Sequence, residues 1–166
     1  MKKILFVLLI FATCIALLSC GLNVFDGKDV TFHSNGMSIT LTSAFTETTV
    51  DGFTVCYDSS QVAVLVLKEP FILADGFGDL TLEEYADVIY RSNSEKQPSE
   101  IFNEDGLNCL ELVSYSSEAR ADYKYFGAMY KTDDAFWFIQ FACLEKNYEE
   151  NRAHFIECAK TVTFDA

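Results

Sequence analysis

Two short stretches of this chain are apolar at almost every residue rather than at every second one. They are Val62-Ala63-Val64-Leu65-Val66-Leu67 and Phe136-Trp137-Phe138-Ile139-Gln140-Phe141. Each is too short for an ordinary helix and rich in the β-branched and aromatic side chains that suit a pleated strand. Side chains alternate across a strand, so a strand apolar on both faces needs cover on both. The chain must therefore build a sheet with material above and below it.

The neighbouring segments supply that material. Met37–Leu41 alternates as a short strand, and Asp51-Gly52 marks a turn. Phe53 to Tyr57 and Val62 to Leu67 flank Asp58-Ser59-Ser60, and Glu100 to Asn103 and Leu107 to Tyr115 flank Glu104-Asp105-Gly106. Tyr123 to Tyr130 and Ala135 to Leu144 flank Lys131-Thr132-Asp133-Asp134. Strands joined by turns this tight are antiparallel. Thr81 with Glu84 forms a capping box ahead of an apolar stripe at Leu82, Tyr85, Ala86 and Ile89, with Leu80 and Tyr85 as a hydrophobic staple. Asn147 with Glu150 repeats the capping pattern before Arg152, Phe155, Ile156 and Ala159. A last short strand follows from Thr161 to Phe164. The expectation is an α+β fold: one antiparallel sheet sandwiched between helices in three layers.

That order resembles the PsbP/Mog1/DcrB-like fold. The likeness is carried by Met37–Leu41, Val62 to Glu69, Leu80-Thr81-Leu82-Glu83-Glu84-Tyr85-Ala86 and Phe136 to Phe164. The resemblance implies an accessory or binding protein, since most members are of that kind and several are attached to a membrane, and it brings no catalytic motif.

The N-terminus supplies an address. Lys2 and Lys3 precede an apolar run from Ile4 to Leu18, which ends in Leu17-Leu18-Ser19-Cys20-Gly21. A basic start, a short apolar core and a small residue before the cut are the parts of a signal peptide. The run falls short of the roughly 20 residues a membrane-spanning helix needs. Leu-Leu-Ser-Cys resembles the lipobox of bacterial lipoproteins, which implies cleavage between Ser19 and Cys20 and a diacylglycerol on the Cys20 sulfur. Two or more acyl chains hold a protein on a bilayer where a single chain binds only marginally. The expected organisation is a signal peptide over 1–19, a lipidated Cys20 with a tether over 20–36, and a single domain over 37–166. A tether from Gly21 to Phe32 would reach roughly 40 Å at 3.3–3.6 Å per residue. The expected location is the extracytoplasmic face of a bacterial cell membrane.

The whole chain carries a net charge of −13. Cleavage after Ser19 removes Lys2 and Lys3 and no acid, leaving 10 basic against 25 acidic residues, a net −15. So acidic a surface repels phosphate backbones and anionic lipid, which argues against nucleic acid and leaves anchoring to the lipid.

Few residues carry the pattern of a chemical site. Asp75-Gly76-Phe77-Gly78-Asp79 offers two carboxylates to Ca²⁺ but lacks the ladder and closing Glu of an EF-hand. His33 lies in or near the tether and His154 beside Phe155 at the edge of the second helix's apolar face, positions that read as structural or solvated. Ser114, Ser116 and Ser117 lie near Glu118 and Asp122 without a G-x-S-x-G. Of the cysteines beyond Cys20, Cys109 and Cys143 fall on strands two apart, about 9–10 Å, beyond disulfide reach. Cys143 and Cys158 lie roughly 15 Å apart along the returning helix. The four thiols read as buried and free, with a disulfide from Cys56 left open. The functional expectation is a non-catalytic, lipid-anchored accessory domain that binds another envelope protein. The alternatives are a Ca²⁺ or ligand receptor built on Asp75 and Asp79, and a hydrolase without a visible nucleophile–base pair.

Overall fold

Asn35-Gly36 opens the fold with a two-residue hairpin. Both residues have positive φ, 55° and 86°, the backbone a type I′ turn requires and that Asn-Gly adopts most cheaply. The turn joins β1 (Asp29–Ser34) to β2 (Met37–Thr42), in register from Asp29↔Thr42 to Ser34↔Met37. The structure is a computed structural model and describes residues 23–92, 101–117 and 119–165. The signal peptide with Ser19, and the lipidation site Cys20, lie outside the described residues.

This hairpin corrects the tether. Residues 23–36 are built into the domain: Val24 is in the core, and Phe25 packs on Phe155 and His154. The backbone carbonyl of Val24 accepts from Thr42 Oγ1. The physical reason is the alternation Asp29-Val30-Thr31-Phe32-His33-Ser34, which turns Phe32 inward onto Tyr57 with ring centroids 4.9 Å apart. In sequence, Cys20 stands three positions before Asn23, the first described residue.

The remaining strands are β3 (Thr46–Thr48), β4 (Val55–Asp58), β5 (Val62–Pro70), β6 (Phe102–Glu104), β7 (Leu107–Ser116), β8 (Ala121–Lys131), β9 (Ala135–Leu144) and β10 (Thr163–Phe164). The helices are α1 (Leu82–Ser92) and α2 (Tyr148–Lys160). Seven strands form one antiparallel sheet in the order β3-β4-β5-β9-β8-β7-β6. The expected single sheet is in fact two, because β1, β2 and β10 pair separately in the order β1-β2-β10. The domain is mostly antiparallel sheet with two helices. None of its described helices is long and apolar enough to cross a membrane.

The two continuous apolar runs are the centre of the large sheet, paired from Val62↔Cys143 to Pro70↔Ala135. Trp137, Ile139 and Phe141 share one core cluster with Phe155, Ile156 and Ala159 of α2, and with Met37, Ile39 and Leu41 of the small sheet. Phe136 and Phe138 belong to a second cluster with Tyr85, Ala86 and Ile89 of α1. The period of 2 along β9 thus feeds two cores.

The α1 capping box forms as expected: Thr81 N donates to Glu84 Oε2 at 2.8 Å and Glu84 N to Thr81 Oγ1 at 3.2 Å. The one at Asn147 does not. A 3-10 turn over Glu145–Asn147 leads into α2 and holds Asn147 at φ −101°, ψ −2°, with no side-chain cap. A capping side chain reaches back only from an extended residue. The carbonyl of Asn147 instead accepts from Asn151 Nδ2 at 2.9 Å.

Glu69 carries a pH dependence. It is buried, and its carboxylate accepts from the Tyr85 hydroxyl at 2.5 Å. Burial raises its pKa above the ordinary carboxylate value, and the Tyr85 hydrogen bond only partly offsets this. A carboxyl raised in the folded state favours folding at acid pH and loses that contribution as pH rises through the folded value. Glu69→Gln is expected to gain stability over the parent progressively above about pH 4.5 and to match it below. Urea unfolding of both proteins across that range checks it.

Candidate functional site

One end of the large sheet gathers residues that lie far apart in the chain. There β5 ends, β9 begins and β10 meets the Asn35-Gly36 turn. Asp165 N donates to Gly36 O at 3.0 Å and closes the chain over this end. The result is a half-open cleft of about 540 Å³, lined by Gly36, Lys68, Thr132, Asp133, Asp134, Trp137, Phe164 and Asp165.

The cleft has an aromatic floor and an acidic rim. The Trp137 and Phe164 rings lie 5.0 Å apart. Lys68 Nζ sits 5.0 Å over the Trp137 ring and 2.9 Å from Asp134 Oδ2. Lys68, with help from Thr132, holds the Asp134 carboxyl below its usual range. Asp133 and Asp165 are exposed and have no ion-pair partner among the described residues. The protein's own lysine already shows what this geometry holds: an ammonium between a carboxylate and an indole face.

The segment after β5 stands beside the cleft. Phe71 N donates to Asp134 O at 2.8 Å, and a 3-10 turn then carries Ile72 and Leu73 outward. Ile72 is 93% exposed and Leu73 63% exposed, the two most exposed large apolar residues described. Phe71 and Phe77 turn inward onto Phe136 at 5.2 and 5.3 Å and hold the segment in place.

The loop of the alternative Ca²⁺ reading lies in this segment. Asp75 and Asp79 are both exposed. Phe77 between them is a core anchor, and Gly78 is needed for space, since a Cβ there would come within 2.8 Å of Phe71. Lys131 Nζ donates to the carbonyls of Gly78 and Leu80 at 2.8 and 2.7 Å. The cation beside this loop is therefore the protein's own. No group of three or more His, Cys, Asp or Glu that would hold a metal is found among the described residues.

The other sequence candidates are scattered. His154 stacks on Phe25 at 4.6 Å. His33 Nδ1 lies 2.7 Å from Ser38 Oγ, a cross-strand pair with no carboxylate on His33 among the described residues. Ser116 Oγ accepts from Ala119 N at 3.0 Å and shapes a turn. Cys56, Cys109, Cys143 and Cys158 are free. Burial pushes the Cys56 thiol up to about 11 and the other three to about 12, so none is poised as a nucleophile. On α2, Arg152 donates to Glu111 Oε1 at 2.8 Å and to Glu104 Oε1 at 3.0 Å. Burial alone would raise Glu111; hydrogen bonds from Arg152 and Lys124 hold it low instead. This network clamps α2 to β6 and β7.

No local signal in the sequence marks the cleft. Lys68 figured only in the run that carries the fold resemblance, Asp133-Asp134 read as a turn and Trp137 as core.

No family model matches the sequence, and no curated protein matches it. Solved structures do. The chain is similar to cyanobacterial PsbP (CyanoP) from Synechocystis sp. PCC 6803, with a TM-score of 0.58 and 14% identity, over 90% of this chain and 99% of that one. It is also similar to a protein from Bacteroides thetaiotaomicron, with a TM-score of 0.56 and 10% identity, over 82% of this chain and 48% of that one. At these identities the likeness is one of fold, and the chain has a PsbP-like fold.

Proposed function

We propose that this protein is a lipid-anchored, extracytoplasmic accessory domain that works by binding another protein of the bacterial envelope, without catalysis of its own. The observation that carries the reading is Leu17-Leu18-Ser19-Cys20 standing ahead of a PsbP-like domain whose described residues start at Asn23. The anchor is a diacylglycerol on Cys20. Three backbone steps from Cys20 to Asn23 reach at most about 11 Å. The domain is then held against the membrane surface, and its mature charge of −15 keeps it from lying flat on anionic lipid.

Replacing Cys20 by serine tests this. The variant is expected to leave the membrane fraction or to accumulate at its uncleaved size, because the thiol is both the site of acylation and the residue after the cut. A Cys20→Ser protein that stays with the membrane at the mature size would defeat the reading.

A further inference from the structure

We infer that the cleft and the Ile72–Leu73 turn together form a docking end for a basic amphipathic segment of a partner protein. This rests on the partner-binding reading above, but not on the lipid anchor.

Two kinds of surface meet at this end. Ile72 and Leu73 project apolar area that nothing described covers, and such area marks a contact surface when polar groups rim it. Here the rim is acidic on both sides. Asp75 and Asp79 follow the turn in sequence, and Asp133, Asp134 and Asp165 lie on the cleft. The two lysines of this end are already engaged, Lys68 with Asp134 and Lys131 with the Gly78 and Leu80 carbonyls. Asp75, Asp79, Asp133 and Asp165 have no ion-pair partner among the described residues.

The complement of this surface is a segment with apolar residues on one side and Lys or Arg on the other. Its apolar side covers Ile72 and Leu73, and one cationic side chain meets the exposed carboxylates of Asp133 and Asp165 at the mouth of the cleft. Lys68 acts there as an internal competitor, since it already holds the exposed Asp134 carboxylate at 2.9 Å. The acidic rim disfavours an anionic bilayer as the occupant, and it disfavours a second copy of this acidic chain. The end is also accessible on an anchored protein. The Asn35-Gly36 turn that lines the cleft lies at the opposite end of β1 from Asp29 and the N-terminal residues, roughly 20 Å away over six residues.

Trp137 is the sole tryptophan of the chain, so its fluorescence reports on the cleft. The test titrates the full mature chain with a tryptophan-free amphipathic peptide of leucine and lysine, and with its leucine–glutamate counterpart. The lysine peptide is expected to shift Trp137 emission and to bind at least about ten-fold more tightly than the glutamate one, with affinity falling as salt rises. Ile72→Ser with Leu73→Ser, and separately Asp133→Asn with Asp165→Asn, are each expected to weaken it by about ten-fold. All four residues are exposed, so these variants keep the parent melting temperature. Lys68→Met is expected to tighten binding by freeing the Asp134 carboxylate.

Equal affinity for the two peptides, no binding, or loss of affinity on Lys68→Met overturns the inference. So does self-association through Ile72 and Leu73 in sedimentation, or preferential binding to phosphatidylglycerol vesicles. Photo-crosslinking in intact cells from positions 72, 113, 133 and 157 separates the two readings. Crosslinks from 113 or 157 alone overturn the docking end and leave partner binding standing. No crosslink from any position overturns both.

Discussion

Replacing Phe136 by alanine is expected to lower the stability of the domain by about 3–5 kcal/mol, the range for deleting a buried aromatic ring. The ring is fully buried at the start of β9. It stacks on Tyr85 of α1 at 4.2 Å, and Phe71 and Phe77 meet its edge or face at 5.2 and 5.3 Å. Lys131 Nζ lies 5.3 Å from its centre while bonded to the carbonyls of Gly78 and Leu80. One side chain thus fastens both α1 and the segment that presents Ile72 and Leu73. The melting temperature should fall by roughly 6–20 °C at 2–4 °C per kcal/mol. Hydrogen exchange should rise first in α1 and residues 71–79, and least in β5. A uniform rise across the domain would show that the ring is not a local fastener.

Gly127→Ala is expected to cost about 1–3 kcal/mol, the price of overpacking a closed core. Gly127 lies in the middle of β8, opposite Gln140 of β9. A Cβ there would stand 2.3 Å from Phe138 Cε2 and 2.8 Å from Phe138 Cζ. Phe138 is fully buried, so its ring has no free space to swing into. Glycine usually weakens a strand interior, and here it provides room for a neighbouring ring. Phe138→Leu in the same chain should recover part of the loss, because it removes the ring edge that the new methyl meets. A double-mutant cycle by urea unfolding measures the coupling, and additive losses would contradict the contact.

Local features of the sequence were legible where neighbouring residues act on each other. The Thr81–Glu84 box closes within four residues, and the Asp105-Gly106 turn needs only its own backbone, at φ 52° and 84°. The same signal was present at Asn35-Gly36, flanked by the alternation of β1, and it outweighs the polar composition that made residues 21–32 resemble a tether. At Asn147 the motif was present, but the preceding 3-10 turn had already set its backbone.

By itself, then, the sequence determined β2, β4 to β9 and the turns between their hairpins, the two helices and the demand for apolar cover on both faces of β5 and β9, but not β1 or β3, since periodicity and capping are properties of adjacent residues. It also placed Leu17-Leu18-Ser19-Cys20 at the head of the chain. Only the tertiary structure decided that β1, β2 and β10 form a sheet of their own. It alone brought Gly36, Lys68, Asp134, Trp137 and Asp165 around one cleft. Those residues meet through pairings between β5, β9, β2 and β10 that span most of the chain, and contacts of that range follow from how the whole core packs.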